Sequence, residues 1–199
     1  MDNGDLGDVY QIATRRQGPF PARIADVGVV KDLATHDIDL TSWVAQSAYA
    51  TVSAVTAHKS GRPHEDMVSA SCRLVNGIAT NHIVNWLTPF KERLTVVSGE
   101  KGTFVADTLT ADLTFYANSS VNTEWDSVAA FRGVSEGDVI RYAFAKPEPL
   151  KVEHEAFRDA VLGVEGALKR IVTMEEGRET VRVATAMIES SDRKESITL

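Results

Sequence analysis

The chain has 199 residues, enough to bury a sizeable core, and we expect one domain over residues 1–199. Its net charge of −7 repels the phosphate backbone of nucleic acids, and no basic stripe with interleaved aromatic residues offsets this repulsion, so no nucleic acid partner is expected. No apolar run is long enough to cross a bilayer, and residues 1–8 are too acidic for a signal peptide. We therefore expect a cytoplasmic protein with no membrane partner.

The chain has a single cysteine, Cys72, so it cannot form an internal disulfide, and we interpret this residue as a small buried thiol.

The N-terminal residues predict a strand, a loop and a helix. Residues 7–16 alternate imperfectly between apolar and polar side chains and then meet glycine and proline, which predicts a strand that ends in a loop. Gly28 permits a close approach of the chain ahead of a helix predicted over residues 32–44. Asp37 shares a face of this helix with leucine and valine. Its carboxylate is therefore predicted to face the core and to need partners, such as nearby backbone amides.

The start of this helix carries a candidate proton-transfer pair. In a helix, Asp32 and His36 lie one turn apart on the same face, where a carboxylate can orient an imidazole. With Asp37 and Asp39 nearby, the carboxylates are expected to favour the imidazolium and to tune His36 as a base near neutral pH. The same spacing also fits an acidic helix start beside a surface histidine. Asp32, His36 and Asp39 as metal ligands form a third, less specific interpretation.

The middle of the chain changes to a period of two. Consecutive strands with short turns predict an antiparallel sheet. The pair Asn76-Gly77 predicts a two-residue hairpin loop. The strand at residues 78–87 has polar side chains on both faces, which suits a cleft, an interface or a half-exposed edge, and His82 is assigned no chemistry. The predicted strands are residues 49–57, 66–75, 78–87, 93–98, 103–107 and 113–117.

The C-terminal part predicts a polar loop followed by helices. Trp125 and Phe131 are the residues expected to fix the loop at residues 118–137 to the body of the protein or to a partner. Two later helices are expected to cover one face of the sheet, and the second begins at a capping box of Thr173 and Glu176. The further predicted elements are a strand at 139–144, helices at 153–162 and 173–191, and a short final strand at 196–199. The expected fold class is α+β, an open, mostly antiparallel sheet with helices packed on one face.

Residues 26–43 resemble a signature of the Gfo/Idh/MocA sugar dehydrogenase family. In that signature a glycine-rich turn leads into a helix that carries an aspartate and, four residues later, a histidine. The matching positions are Gly28, Asp32, His36, Asp37 and Asp39. Weaker similarity follows in the family's order at residues 85–102 and 148–191.

The resemblance implies an NAD- or NADP-dependent dehydrogenase acting on a sugar, polyol or nucleotide sugar. His36 is then expected to remove the hydroxyl proton while the carbon gives hydride to the nicotinamide, with Asp32 holding the imidazole. The sequence lacks the Gly-x-Gly-x-x-Gly turn of the family's Rossmann half, and Lys146-Pro147 lacks the preceding glutamate of its Glu-Lys-Pro motif. We therefore expect the C-terminal domain alone, with the Rossmann domain missing and no cofactor bound to this piece.

The remaining hypotheses concern substrate contacts and assembly. Arg15, Arg16 and Asp37 are the candidate substrate-binding residues, and the arginines, with Arg23, suit an anionic substrate unless they are simply solvated. The alternative function is a non-catalytic binding module. Such a module would self-associate through the open face of its sheet, and we expect a homo-oligomer through that face.

Overall fold

The computed structural model describes residues 4–24, 26–118 and 136–199, and the fold is given for these residues. The described strands are β1 (Val9–Pro19), β2 (Tyr49–Ala57), β3 (Met67–Leu74), β4 (Ala79–Asn85), β5 (Leu87–Gly99), β6 (Gly102–Asp107), β7 (Asp112–Asn118), β8 (Glu136–Tyr142) and β9 (Ile197–Thr198). They form one open sheet in the order β8-β7-β6-β5-β1-β4-β3-β2-β9. Every neighbouring pair is antiparallel except β1 and β4, which are parallel, so the predicted fold class is confirmed.

Two helices cover the half of the sheet that contains β1 to β4. A π-helical turn (Val30–Ala34) runs directly into α1 (Thr35–Ala45), and α3 (Met174–Arg193) packs on β2 and on α1. The helix α2 (Pro149–Val161) instead packs on a 3₁₀ turn (Ala167–Arg170). The prediction that both later helices cover the sheet is therefore wrong for α2.

The reason lies in the side chains of α2. Its amphipathic stripe exists as predicted, but Ala156 is the residue of this helix that becomes buried. The larger apolar side chains Leu150, Phe157 and Val161 stay more than half exposed. A single alanine contributes little burial, so α2 is held far less firmly than the two sheet-covering helices.

The strand pattern predicts most of the core correctly. In β3, Val68, Ala70, Cys72 and Leu74 are buried under the helices, while the intervening residues are exposed, as a period of two requires. Burial raises the pKa of the Cys72 thiol to about 12, which keeps it protonated and unreactive.

The hairpin between β3 and β4 differs from its prediction by one residue. The Leu74 amide donates to the Ile78 carbonyl at 2.9 Å, so the loop holds the three residues 75–77. Gly77 takes a left-handed backbone with φ of +91°, as the closing position of such a loop requires. The turn signal was therefore correct and its two-residue length was wrong.

The strand β4 lies inside the sheet, between β1 and β3. The predicted alternative, that this strand is an edge strand, is therefore wrong. His82 on this strand is fully buried and hydrogen-bonded to three side chains. The distances are 2.8 Å from Nδ1 to the Thr14 hydroxyl, 2.9 Å from Nε2 to the Tyr49 hydroxyl and 3.3 Å from Nε2 to the Thr80 hydroxyl. The polar pattern of β4 thus serves a closed network inside the core.

Burial of His82 predicts a loss of stability in acid. It lowers the pKa of this imidazole from 6.5 to about 4. Between these values the unfolded chain binds the proton and the folded chain does not, so the free energy of unfolding falls as the pH falls, by about 3 kcal/mol from this residue. Urea unfolding from pH 7 to pH 4 measures the slope. His82→Gln should flatten it and exposed His154→Gln should not; equal slopes for all three proteins would contradict the prediction.

Other predicted features are confirmed at the C-terminus. The hydroxyl of Thr173 accepts from the Glu176 amide, and the Glu176 carboxylate accepts from the Thr173 amide, which completes the capping box of α3. The final strand β9 pairs with β2. Trp125 and Phe131 lie outside the described residues. Within the described part, none of the helices has both the length and the apolar character needed to span a membrane.

Candidate functional site

The helix that carries the predicted pair is fixed at its N-terminus by a distant carboxylate. Glu65, which precedes β3, is buried and its Oε1 accepts from the Val30 amide at 3.1 Å. The Glu65 carbonyl accepts from the Val29 amide at 2.9 Å. A Cβ atom on Gly28 would overlap the Glu65 carboxylate, so the glycine permits the close approach that its position predicts. The Glu65 carboxylate is also stabilised by the partial positive charge at the N-terminus of the helix.

The loop before this helix is held by Arg62. The Arg62 guanidinium donates to the carbonyls of Ile24 and Val27, each at 3.2 Å. It also lies over the rings of Phe20, 4.3 Å from the centroid, and Trp86, 5.2 Å from the centroid. Sequence analysis missed both Glu65 and Arg62, because nothing in the local pattern links residues so far apart along the chain.

Asp32 and His36 lie near each other but do not form the predicted direct contact. No hydrogen bond joins them, although both belong to the described part of the chain. Asp32 lies in the π-helical turn, where the backbone bonds span five residues and the i, i+4 alignment of an α-helix is lost. His36 is exposed and Asp32 is half-buried. The carboxylate therefore acts on the imidazole through space.

The electrostatic environment of His36 is the reverse of the expected one. Although His36 is exposed, the protein atoms around its imidazole partly displace water from it; this desolvation and the Arg16 guanidinium lower the pKa of His36, and the opposing effects of Asp37 and Asp32 are smaller. Asp37 and Asp32 do favour the imidazolium, as predicted, but desolvation and Arg16 outweigh them, so the expected net stabilisation of the imidazolium is wrong. The neutral imidazole, which is the proton-accepting form, is favoured instead.

Asp37 faces the core as predicted, but its partner is a side chain and not the backbone. It is only 3% exposed, and its Oδ1 accepts from Arg16 Nε at 2.7 Å. Burial raises the pKa of the Asp37 carboxyl, and the Arg16 guanidinium opposes that shift. Oδ2 is buried without a hydrogen-bond partner among the described atoms.

The structure separates the two neighbouring arginines. Arg16 points to the helix side of the sheet, beside His36 and Asp37, whereas Arg15 points to the open side and pairs with Glu92 at 3.2 Å. Arg23 is exposed in the loop. Arg93, which sequence analysis missed, lies opposite Arg16 on β5, and its charge acts on His36. The site therefore combines Asp32, His36, Asp37, Arg16 and Arg93, without Arg15.

A cavity of about 410 Å³ lies beside α1, between this helix and the start of α3. Asp39 and Trp43 line it, and His36 does not. Burial and the nearby Glu176 carboxylate raise the pKa of Asp39. Within the described ranges, no group of three or more histidine, cysteine, aspartate or glutamate residues is arranged to hold a metal ion.

Fold and site together define an open-faced α+β domain with a histidine-bearing helix. The chain belongs to the GFO/IDH/MocA family, whose C-terminal domain model matches residues 1–105. A sequence search of curated proteins gave no match.

Solved structures give the same fold at low identity. The chain is similar to UDP-N-acetylglucosamine 3-dehydrogenase GnnA from Acidithiobacillus ferrooxidans, with a TM-score of 0.75 and 21% identity over 96% of this chain and 57% of that one. It is also similar to the WlbA dehydrogenase from Bordetella pertussis in complex with NADH and UDP-GlcNAcA, with a TM-score of 0.67 and 22% identity over 100% and 56% of the two chains. A levoglucosan dehydrogenase complex with NADH has a TM-score of 0.75 and 15% identity over 99% and 60%. The chain thus spans little more than half of each.

Proposed function

We propose that this chain is the substrate-binding and oligomerisation half of an NAD(P)-dependent dehydrogenase that acts on a hydroxyl of a sugar, polyol or nucleotide sugar. The observation that carries the proposal is the placement of His36: it is exposed on a helix whose start is fixed by Glu65. A base must be held rigidly and yet reach the substrate. The three dehydrogenases of similar fold support the substrate class.

In this proposal the nicotinamide cofactor is bound by another domain and not by this chain. The chain has no Gly-x-Gly-x-x-Gly turn of its own, and the exposed imidazole of His36 would be accessible to a nicotinamide ring held by another domain. When bound, the cofactor would accept the hydride from the carbon that bears the reacting hydroxyl. His36 and Asp32 are the residues of this chain that would face it.

The residues of this chain supply the proton transfer. Neutral His36 accepts the proton of the reacting hydroxyl, and the lowered pKa keeps the imidazole in that form at neutral pH. The imidazolium that results is stabilised by the nearby negative charges of Asp32 and Asp37. The hydrogen bond between Arg16 and Asp37 ties α1 to β1 next to the residue that carries the imidazole.

The test is an assay of the intact protein that carries this domain. Reduction of NAD or NADP is followed by absorbance with neutral sugars, polyols, sugar acids and nucleotide sugars. Turnover with a member of one of these classes supports the proposal. Reduction of neither cofactor with any of them, by protein shown to bind the cofactor, would refute it.

The open face of the sheet supports a second role, self-association. On the side away from α1 and α3, Val55 is 64% exposed and Ile83 41% exposed, and half-buried Leu94 and Val96 lie on the same face. Arg15 lies between Ile83 and Leu94 on this face, and Ser69 lies between Val55 and Ile83, so the face is a mixture of aliphatic and polar side chains. A mixed, partly apolar face of this kind suits an isologous contact with a second copy.

Light scattering of the 199-residue chain checks this assembly. We expect a dimer or a larger oligomer, because pairing removes the exposed aliphatic side chains of this face from water. Ile83→Lys, which adds a second positive charge beside Arg15, should give a monomer. Val75→Lys, on an exposed turn residue, should not change the mass. A strict monomer at high concentration would contradict the proposed assembly.

A further inference from the structure

Two arginines lie opposite each other on the helix side of the sheet. Arg16 of β1 and Arg93 of β5 are register partners, and the buried residues Thr14 and Thr95, two positions away on each strand, show which side they face. Like charges placed directly opposite destabilise a pair of strands. A sheet that keeps such a pair needs negative charge close to both.

Asp37 meets this need only in part. One of its oxygens accepts from Arg16 Nε, while Arg93 Nη1 is buried and has no hydrogen-bond partner among the described atoms. A guanidinium is a planar fork of N–H donors that matches the two oxygens of a carboxylate or phosphate. One N–H group of the Arg93 fork is therefore without a partner beside a second arginine, and the second oxygen of Asp37, Oδ2, is buried without a partner as well.

The arginine pair is adjacent to the proposed base. The positive charges of Arg16 and Arg93 both act electrostatically on the His36 imidazole. The negative charge of Asp32 acts in the same way on the Arg93 guanidinium. A negatively charged group held by the arginines would thus belong to the molecule whose hydroxyl approaches His36. A sugar that carries an acidic group near the reacting carbon has this arrangement.

We propose that Arg93 and Arg16 bind an oxyanion of the substrate, a carboxylate or a phosphate, and that the substrate is accordingly an acidic sugar and not a neutral one. This inference rests on the proposed dehydrogenase function for the choice of His36 as the reacting base. It adds a specificity-determining residue, Arg93, and it gives the site a charge requirement.

The bound oxyanion has a measurable consequence for His36. It offsets the positive charges of the two arginines, so the pKa of His36 should rise towards its ordinary value when the ligand binds. A neutral sugar in the same place leaves those charges uncompensated and cannot produce this rise.

The experiment is an NMR titration of the His36 ring protons in the 199-residue chain at constant ionic strength. The probes are glucuronate for a carboxylate, glucose 1-phosphate for a phosphate and glucose as the neutral control. Saturable binding of one or both acidic sugars with a rise of the His36 pKa supports the proposal. Absence of saturation, or the same response to glucose, overturns it.

Variants separate a ligand-binding Arg93 from a structural one. Because it removes a charge-assisted hydrogen bond, Arg93→Gln should weaken binding by about 10- to 100-fold, and Arg93→Lys should restore part of it. Arg141→Gln removes an exposed arginine on β8 and should leave binding unchanged. Unchanged binding of the acidic sugar by a folded Arg93→Gln protein would mean that Arg93 has only a structural role beside Asp37 and does not bind the ligand.

The two proposals fail in different ways. Turnover of neutral sugars alone by the intact protein would overturn the oxyanion site and leave the dehydrogenase function standing. Binding of acidic sugars by this chain, without turnover of any of the four substrate classes in the intact protein, would refute the dehydrogenase function and retain the oxyanion site.

Discussion

Replacing His36 with alanine in the intact protein is expected to lower kcat by about 10²- to 10⁴-fold, the range in which a positioned base contributes. His36 is exposed and makes none of the hydrogen bonds that hold α1 in place, so its removal should leave the domain folded. The KM for the cofactor should change little, because the imidazole acts on the substrate hydroxyl. Steady-state kinetics with each substrate varied in turn measures both quantities.

A matched histidine provides the control for this experiment. His154 is exposed on α2, and His154→Ala should keep full turnover. Because the pKa of His36 is lowered, kcat/KM of the wild-type protein should fall in acid only at a pH below the ordinary pKa of histidine. If His36→Ala weakened cofactor binding as much as it slowed turnover, the assignment of His36 as the base would be wrong.

Replacing Gly28 with alanine is expected to lower the free energy of unfolding by about 3 kcal/mol. The new methyl group would occupy the position of the Glu65 carboxylate, which is buried and hydrogen-bonded to the Val30 amide. The carboxylate can move away only by giving up that bond and leaving a buried donor without a partner. Urea unfolding of the 199-residue chain measures the loss.

A double-mutant cycle isolates the cause. Glu65→Ala alone removes a helix cap and should cost about 1 to 2 kcal/mol, but it also creates the space that alanine at position 28 needs. The double variant should therefore be more stable than the sum of the single losses predicts. Gly177→Ala, at a helix position with open space around it, should be neutral or stabilising. Strictly additive losses at Gly28 and Glu65 would show that the two residues do not interact.

The fold could be predicted wherever the pattern is local. Alternation in β3, the turn glycine Gly77 and the capping box at Thr173 each depend on residues a few positions apart, and the structure confirms them. The sheet-covering role of α2 could not be predicted in the same way. An amphipathic stripe shows that a helix has an apolar side and does not show which surface meets it.

The candidate site was predictable only in the helix itself. The spacing of Asp32 and His36 placed both on one helix, while the π-helical turn that prevents their direct contact left no mark in the pattern. Arg93 and Glu65 come from other strands and loops and depend on the pairing of β1 with β5 and on the path before β3. Because arginine and glutamate are most often solvated, their types alone gave no signal.

The parallel pairing of β1 with β4 also affects how the chain can fold. β1 lies between β4 and β5, so its register partners, from Gln11 with Ala79 to Val9 with Gly99, are separated from it by most of the first hundred residues. Contacts of such long range slow folding, because the connecting chain loses entropy before any pairing energy is gained. During synthesis, β1 with Arg16 therefore stays without either of its sheet neighbours until β4 and then β5 have left the ribosome.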